Sequence, residues 1–561
     1  MTISETLSRA ITEAIETLQF PSVSFVIEHP SDISHGDYAT NVALILGKEL
    51  GKNPKELAEI IVAELNKKNI KEVESFEVAG PGFINIHLSR DFFVGTVAKI
   101  LEDGKNFGAN KSEAQKKIMV EYTQPNPFKP FHIGHLMSNA LGESISRLFD
   151  YSGAEVKRAN YQGDVGLHVA KALWGIKKTG ASPSFIEDIG KAYVYGNTEY
   201  ENNPKAKQEI DEINKQIYEK KDPELVATYE KGRETSLSHF EEIYKALGTK
   251  FDFYFFESES APVGEKLVKE GLSKGVFEES EGAIIFRGEK HGLHTRVFRT
   301  SQGLTPYEAK DLGLIKLKEE KYDADIFVTI TALEQKEYFN VVKAVMQELF
   351  PTLGSRVKHI SHGMLRLKSG KMSSRKGNII TGESLLHDMS EMVEKKVADR
   401  DLGSARESII DDVAVAAIKY SVLKQSVGKD IVFDPEKALS FEGDSGPYIQ
   451  YTYVRAMSVL RKAKEGEKEA RAPRAPEVIY LLERLIYRFP EVIIRAQKEY
   501  EPHYVTTFVT EVAGAFNSFY GNTLIIDDSP ESSYKLALTK AVSIVLQNGL
   551  SVLGIRVPDK M

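Results

Sequence analysis

The chain has 561 residues, 42% of them hydrophobic and 27% charged, with a formal net charge of −8 and no cysteine. It is too long for one hydrophobic core, so about three or four domains are expected. The missing cysteines exclude disulfides, thiolate zinc sites and a cysteine nucleophile, and no apolar run is long enough to predict a membrane span. Residues 1–105 read as a small α/β domain. Ile3, Leu7, Ile11, Ile15 and Leu18 recur at helical spacing, while Glu5, Arg9, Glu13 and Glu16 break the apolar centre that a signal peptide requires. A cytoplasmic protein is therefore expected. The loop HGDYATN (His35 to Asn41) leads into a helix ending near Leu50, and Asn53–Pro54 opens another. GPGFINIHLS (Gly80 to Ser89) alternates as a strand does, and the polar stretch 103–117 marks a boundary.

The runs IMVEY (118–122), VKRANY (156–161) and DIFVTI (325–330) are strand-like and separated by helical segments. That alternation predicts a parallel sheet. Residues 176–250, rich in Glu, Lys and Tyr, read as a helical insertion. From about 405 onward the pattern is helical, with Pro473 and Pro476 in a linker. Residues 455–475 form a basic stretch in which Arg455, Arg461, Lys462, Lys464, Lys468, Arg471 and Arg474 outnumber Glu465, Glu467 and Glu469. A solvated helix end and a nucleic-acid contact both fit it.

Two motifs carry chemistry. The strand 118–122 leads into TQPNPFKPFHIGH, after which Leu136, Ala140, Leu141, Ile145 and Leu148 mark a helix. Unpaired backbone N–H groups and the helix dipole make such a junction an anion site. His132 and His135, three residues apart, can both reach a phosphate, and Gly134 lets an adenine approach the backbone. The second motif, LRLKSGKMSSRKGN (Leu365 to Asn378), carries Arg366, Lys368, Lys371, Arg375 and Lys376 with the hydroxyls of Ser373 and Ser374 and no acid. Such a loop can close over a polyphosphate and stabilise a departing pyrophosphate. Alone, each motif also fits an ordinary capped helix or a solvated basic loop. In this order, after a parallel sheet, they point to ATP attacked at its α-phosphate. A Walker loop, a GxGxxG after a strand and an HExxH are all absent, and the histidines show no metal-ligand spacing.

With both motifs in place the chain resembles the class I aminoacyl-tRNA synthetases, and among them the arginyl-tRNA synthetases. GDYATN and GPGFINIHL are similar to that family's N-terminal domain, and VEYTQPNPFKPFHIGH with NYQGDVG (Asn160 to Gly166) to its catalytic core. SGPYIQYTYVRAMSVLRKA, EPHYVTTFVTEVAGAFNSFY and the C-terminal NGLSVLGIRVPDKM are similar to its helical anticodon-binding domain. The resemblance implies a Rossmann-like α/β catalytic core (110–400, with the insertion near 176–250 and KMSSR at 371–375). An N-terminal α/β domain (1–105) that contacts tRNA precedes it, and a stem and all-α bundle (401–561) follow.

It further implies activation of L-arginine by ATP, brought with Mg²⁺ as substrate, and transfer to the terminal adenosine of tRNA(Arg). A monomer with no tightly bound cofactor or zinc is expected. By position, Lys129, His132, His135, Lys371 and Arg375 would be catalytic. ATP would meet His132, Gly134, His135, Lys371, Ser373 and Ser374, and arginine would meet Glu121, Asn126, Glu257, Tyr307, Asp311 and Gln335. A guanidinium offers five donors and a fixed charge, so a selective pocket needs carboxylates and neutral acceptors. Glu259 stands beside Glu257 as the other acid able to fill that role. Val165, His168, Lys310 and the pair Pro127–Phe128 depart from the family pattern and bear on packing and salt bridges around the site. Two other readings stand beside this one. One is another class I synthetase or a nucleotidylyltransferase sharing HxGH, and the other is a non-enzymatic tRNA-binding relative.

Overall fold

The structure, a computed structural model, describes residues 2–368, 381–466, 470 and 475–561. Two compact units emerge: residues 1–109 with 451–493 and 508–549, and residues 110–450 with 494–507 and 550–561.

In the first unit an antiparallel sheet has the order β1-β2-β4-β3, from β1 (Ile27–Glu28), β2 (Tyr38–Thr40), β3 (Val73–Ala79) and β4 (Phe83–Leu88). The alternation read in GPGFINIHLS is β4, whose Ile84, Ile86 and Leu88 are buried against α1 (Ile3–Thr17), α2 (Val42–Leu50) and α3 (Pro54–Lys67). Asn53 caps α3 by accepting from the Lys55 N–H at 2.9 Å, with Pro54 in the first turn as expected. In HGDYATN, Gly36 has φ of 88°, and a Cβ there would come within 2.7 Å of the Ile86 carbonyl oxygen. The helix α4 (Arg90–Asp103) completes the N-terminal part.

The second unit is built on an all-parallel sheet of order β12-β11-β5-β6-β7. Its strands are β5 (Lys117–Glu121), β6 (Glu155–Gln162), β7 (Phe253–Phe256), β11 (Ile326–Ala332) and β12 (Val357–His362). Taken in chain order this is the doubly wound arrangement, which reverses direction between β5 and β11 and opens a crevice at their carboxyl ends. Ile118, Met119 and Val120 are all buried, as a central strand covered on both faces requires. The crossovers are α5 (Ile133–Tyr151), α6 (Leu167–Thr179), α7 (Ile186–Asn202), α8 (Pro204–Glu219) and α9 (Pro223–Leu247), then α10 (Glu257–Ser273), α11 (Tyr307–Lys321) and α12 (Lys336–Leu349). A small antiparallel sheet of β8 (Glu278–Ser280), β9 (Ala283–Phe286) and β10 (Arg296–Arg299) lies between α10 and α11 in the chain.

After the short helix α13 (Pro351–Ser355), β13 (Leu365–Leu367) pairs in parallel with β14 (Ile431–Phe433). The remaining helices are α14 (Gly382–Lys396), α15 (Arg406–Leu423), α16 (Pro435–Ala438) and α17 (Gly446–Glu465), then α18 (Leu481–Ile486), α19 (Phe489–Glu499), α20 (His503–Asn522) and α21 (Ser532–Val552). Among the described residues no helix is long and apolar enough to cross a membrane.

Candidate active site

The strand β5 ends in the sheet crevice, and the chain then turns sharply before α5. Thr123, Gln124 and Phe128 take positive φ angles of 77°, 54° and 67°. This bend is held from two helices. The Thr123 N–H donates to Ser138 Oγ of α5 at 3.0 Å, and the Phe128 N–H donates to Ser236 Oγ of α9 at 3.1 Å.

His132 is the N-cap of α5. Its Nδ1 accepts from the Gly134 N–H at 3.1 Å, while Nδ1 of His135 accepts from the His132 N–H at 3.2 Å. Two imidazoles thus form a reciprocal capping box, a role usually filled by a hydroxyl and a carboxylate. The rings stack at 3.6 Å between centroids, 25° apart. With Nδ1 acting as acceptor, each neutral ring carries its proton on Nε2, an assignment made from the hydrogen-bond network. Burial holds His132 below the usual histidine range, with Lys129 and His362 adding to the effect. Burial pushes His135 well below it, helped by His132 and Lys129. The first turn of α5 therefore presents neutral N–H donors together with its dipole, a setting suited to phosphate. Lys129 is half-buried, and burial followed by Lys171 lowers its pKa.

The acids expected to read a guanidinium gather at the ends of β5 and β7 and on α11. Glu121 is 1% exposed and pairs with Lys318, with Gln124 Nε2 donating to its other oxygen. Glu257 is 6% exposed, and its Oε2 lies 2.6 Å from Lys310 Nζ. Its neighbour Glu259 is exposed, so only the first acid of FESES faces the interior. Burial raises the pKa of Glu257, with Lys310 opposing. Asp311 accepts from the Tyr338 hydroxyl. Burial lifts its pKa to about 7, with Glu121 and Glu257 adding to the rise against Tyr338 and Lys318.

Asn126 Oδ1 accepts from the Gly163 N–H at 2.9 Å and so ties the bend after β5 to the loop after β6. A Cβ at Gly163 would meet Asn126 Oδ1 at 2.7 Å and Glu257 Oε1 at 3.0 Å, so glycine allows this close approach. Tyr307 is 61% exposed, with Lys310 Nζ 5.0 Å above its ring. Gln335 stands exposed at the end of the turn after β11, and no hydrogen bond joins it to the three acids.

Two participants were absent from the sequence reading. Tyr161 of β6 donates to or accepts from Ser260 Oγ at 2.9 Å. Its ionisation is pushed far up, by burial first and then by the charges of Glu257, Asp311 and Glu121, which sets the phenol among all three acids. The other is Asp164, 1% exposed, which receives donors from Tyr229 and Arg233 of α9 and from Ser258 of α10. The signal for Tyr161 was the strand alternation in NYQGD, where it points away from Asn160 and Gln162. Beside this site α8, α9 and α10 border a cleft of about 930 Å³, lined by Asp164, Tyr218, Arg233, Ser258 and Lys310 among others.

Lys371, Ser373, Ser374 and Arg375 lie outside the described residues, and the residues before and after them have defined partners. Before it, β13 is paired to β14 and Lys368 Nζ lies 2.9 Å from Asp434. After it, Thr381 bridges antiparallel to His132, and the Gly382 N–H donates to the Phe131 carbonyl at 2.6 Å. Thr381 and Gly382, the first described residues after the basic motif, thus lie against the loop that carries the histidine pair. Among the described residues no group of His, Cys, Asp and Glu could hold a metal ion.

The family model described as "tRNA synthetases class I (R), catalytic domain" matches residues 96–435. Models for the arginyl-tRNA synthetase N-terminal domain and the DALR anticodon-binding domain match 2–88 and 449–561. The chain belongs to the class I arginyl-tRNA synthetase family. It is 31% identical over 573 residues to an arginine–tRNA ligase of Halothermothrix orenii, covering 99% of both chains. It is also 31% identical over 572 residues to one of Streptococcus mutans, again covering 99% of both. Among solved structures, the arginyl-tRNA synthetase of Thermus thermophilus matches with a TM-score of 0.80 at 24% identity, and that of Plasmodium falciparum with 0.81 at 21%. Each alignment covers all of both chains, and these likenesses establish the shared fold.

The positions where this synthetase departs from its family's pattern have clear physical roles. Lys310 keeps a salt bridge, to Glu257. Val165 is buried in one cluster with Phe128 and Trp174. His168 donates from Nε2 to the Gly163 carbonyl at 2.8 Å, and burial beside Lys129 lowers its pKa to about 3, which keeps it neutral.

Proposed function

We propose that this chain is an arginine–tRNA ligase that activates L-arginine with ATP and transfers it to the 3′-terminal adenosine of tRNA(Arg). The observation that carries the reading is the stacked His132–His135 pair, at the sheet's switch point, in one site with the buried Glu121 and Glu257 and the half-buried Asp311. In the first step the arginine carboxylate forms a bond to the α-phosphorus and the bond to the bridging oxygen breaks, releasing pyrophosphate. The neutral Nε2–H groups and the dipole of α5 stabilise charge on the α-phosphate, and Lys371 and Arg375 hold the departing pyrophosphate. Lys129, Gly134, Ser373 and Ser374 complete the nucleotide site, with Mg²⁺ arriving on ATP.

Glu121, Asp311 and Glu257, with Asn126, Tyr307 and Gln335, receive the amino acid. In the second step a hydroxyl of the terminal adenosine attacks the activated carbonyl and AMP leaves. The N-terminal 1–105 and the helices after 401 would grip the tRNA. Arg455 lies 4.7 Å from the Tyr451 ring centre and 5.1 Å from that of Tyr520, a cation–aromatic group suited to unstacked bases. A cytoplasmic monomer fits this reading. Pyrophosphate exchange with each amino acid, with and without tRNA(Arg), tests it. Exchange driven by another amino acid and not by arginine would overturn it.

A further inference from the structure

The inserted helix α9 touches three of the loops that build the site. Ser236 receives the Phe128 N–H, and a Cβ at Gly232 would collide with the Phe128 ring. Further along, Arg233 Nε donates to Asp164 Oδ2 at 3.0 Å and the Tyr229 hydroxyl donates to the same oxygen at 3.3 Å.

Asp164 in turn accepts from the Ser258 N–H at 2.9 Å and from Ser258 Oγ at 2.8 Å. Ser258 lies in the first turn of α10, whose own N-cap residue, Phe256, gives no side-chain cap. Asp164 therefore caps α10 from a different loop, filling the role a local Ser, Thr or Asp ordinarily fills. The same guanidinium lies over the Phe256 ring at 4.0 Å from its centre. Between the two contacts lies Glu257, fixed on both sides.

We propose that Arg233 is a positioning residue for amino-acid selection: through Asp164 it locks the first turn of α10 and sets the carboxylate of Glu257 toward the arginine site. The proposal rests on the arginine-activation reading for its substrate, and on geometry for the clamp. An Arg at this point suits the task because its planar fork can hold a carboxylate while its face covers an aromatic ring, which a lysine cannot do together.

The test uses Arg233→Met, Arg233→Lys and Asp164→Asn in the full chain, with two readouts. In arginine-dependent pyrophosphate exchange the Met variant should raise the arginine KM by about ten- to a hundredfold, the scale of loss that a small displacement of a positioning contact produces. The ATP KM should change by less than about twofold, because ATP does not contact α10 in the proposed site. Arg233→Lys should recover part of the arginine KM, since the charge is kept and the stacking is not. Hydrogen exchange at the Ser258 amide supplies the second readout, and protection there should fall in the Met and Asn variants. Equal rises in both KM values, or no change in either, would overturn selective positioning. Undiminished Ser258 protection would overturn the clamp itself. Should the unmodified enzyme show no arginine-dependent exchange, the functional reading fails, and the amide measurement still decides the clamp.

Discussion

Each of the three acids proposed to meet arginine has a different internal partner. Glu121 faces Lys318, Glu257 faces Lys310, and Asp311 faces the uncharged Tyr338 hydroxyl. Asp311 is thus the one of the three without a contacting cation, and desolvation beside Glu121 and Glu257 places its titration near 7. The guanidinium of arginine stays protonated throughout the neutral range, so it favours the ionised carboxylate. On the proposed reading the arginine KM should fall as pH rises toward and through 7. Below that point it should rise by up to about tenfold per pH unit, the slope of one protonation that competes with binding. Asp311→Asn should raise KM at high pH and flatten the profile. Steady-state pyrophosphate exchange across the neutral range measures this, and a wild-type arginine KM independent of pH would rule it out.

At the scale of elements, most of the fold was legible because periodicity reports local burial. The strand in GPGFINIHLS and the helix after Asn53 matched their patterns because each buries one face of a continuous stretch. The strand–loop–helix around PFHIGH did so because its apolar runs are buried on either side of the loop. The α11 segment YEAKDLGLIKLK held a signal that was passed over. Lys310 and Lys318 lie eight residues apart on a buried face that also carries Leu314, where a solvated helix would place no lysine. What periodicity could not report were contacts set by tertiary packing, such as Arg233 and Ser258 converging on Asp164 from distant segments.

The far end of α9 offers another such case. Its last carbonyls accept from three cations: Lys419 Nζ on Leu247 O at 2.6 Å, Arg556 on Lys245 O and Ala246 O, and Arg147 on Gly248 O. Cations at a helix C-terminus satisfy orphan carbonyls and oppose the dipole. Lys419 also donates to Gly554 O at 2.8 Å, so one buried ammonium ties α9, α15 and the C-terminal tail together. Lys419→Met should destabilise the chain by about 1–3 kcal/mol, the cost of leaving buried carbonyls unpaired, and should loosen the amides at 247–250. Calorimetry with amide exchange measures both, and an unchanged midpoint would show that water or Arg147 replaces the contact.

At the scale of the whole molecule, the first compact unit joins the two ends of the sequence. Asp37, fully buried, accepts from the Leu88 N–H at 2.9 Å and pairs with Arg484 of α18. Glu491 of α19 accepts from the Tyr38 hydroxyl at 2.7 Å and lies 3.2 Å from His29, and Arg90 reaches buried Glu483 at 2.6 Å. Buried charges packed this way tolerate the loss of one partner poorly, because the other is left without solvent or counter-charge. The residues that match the N-terminal family model should therefore gain their stability jointly with the helices 481–493, although nearly the whole catalytic sequence separates them. Arg484→Ala should cost about 3 kcal/mol or more by exposing the unpaired Asp37 carboxylate to its dry surroundings. Hydrogen exchange by mass spectrometry should then show protection falling together in β2, β4 and α18, while β5 and β11 of the parallel sheet keep theirs. Loss confined to α18 would mean that the N-terminal sheet holds itself without the C-terminal helices. Joint loss would mark the two ends of the chain as one cooperative body, so a substitution in either end would loosen the packing of the other.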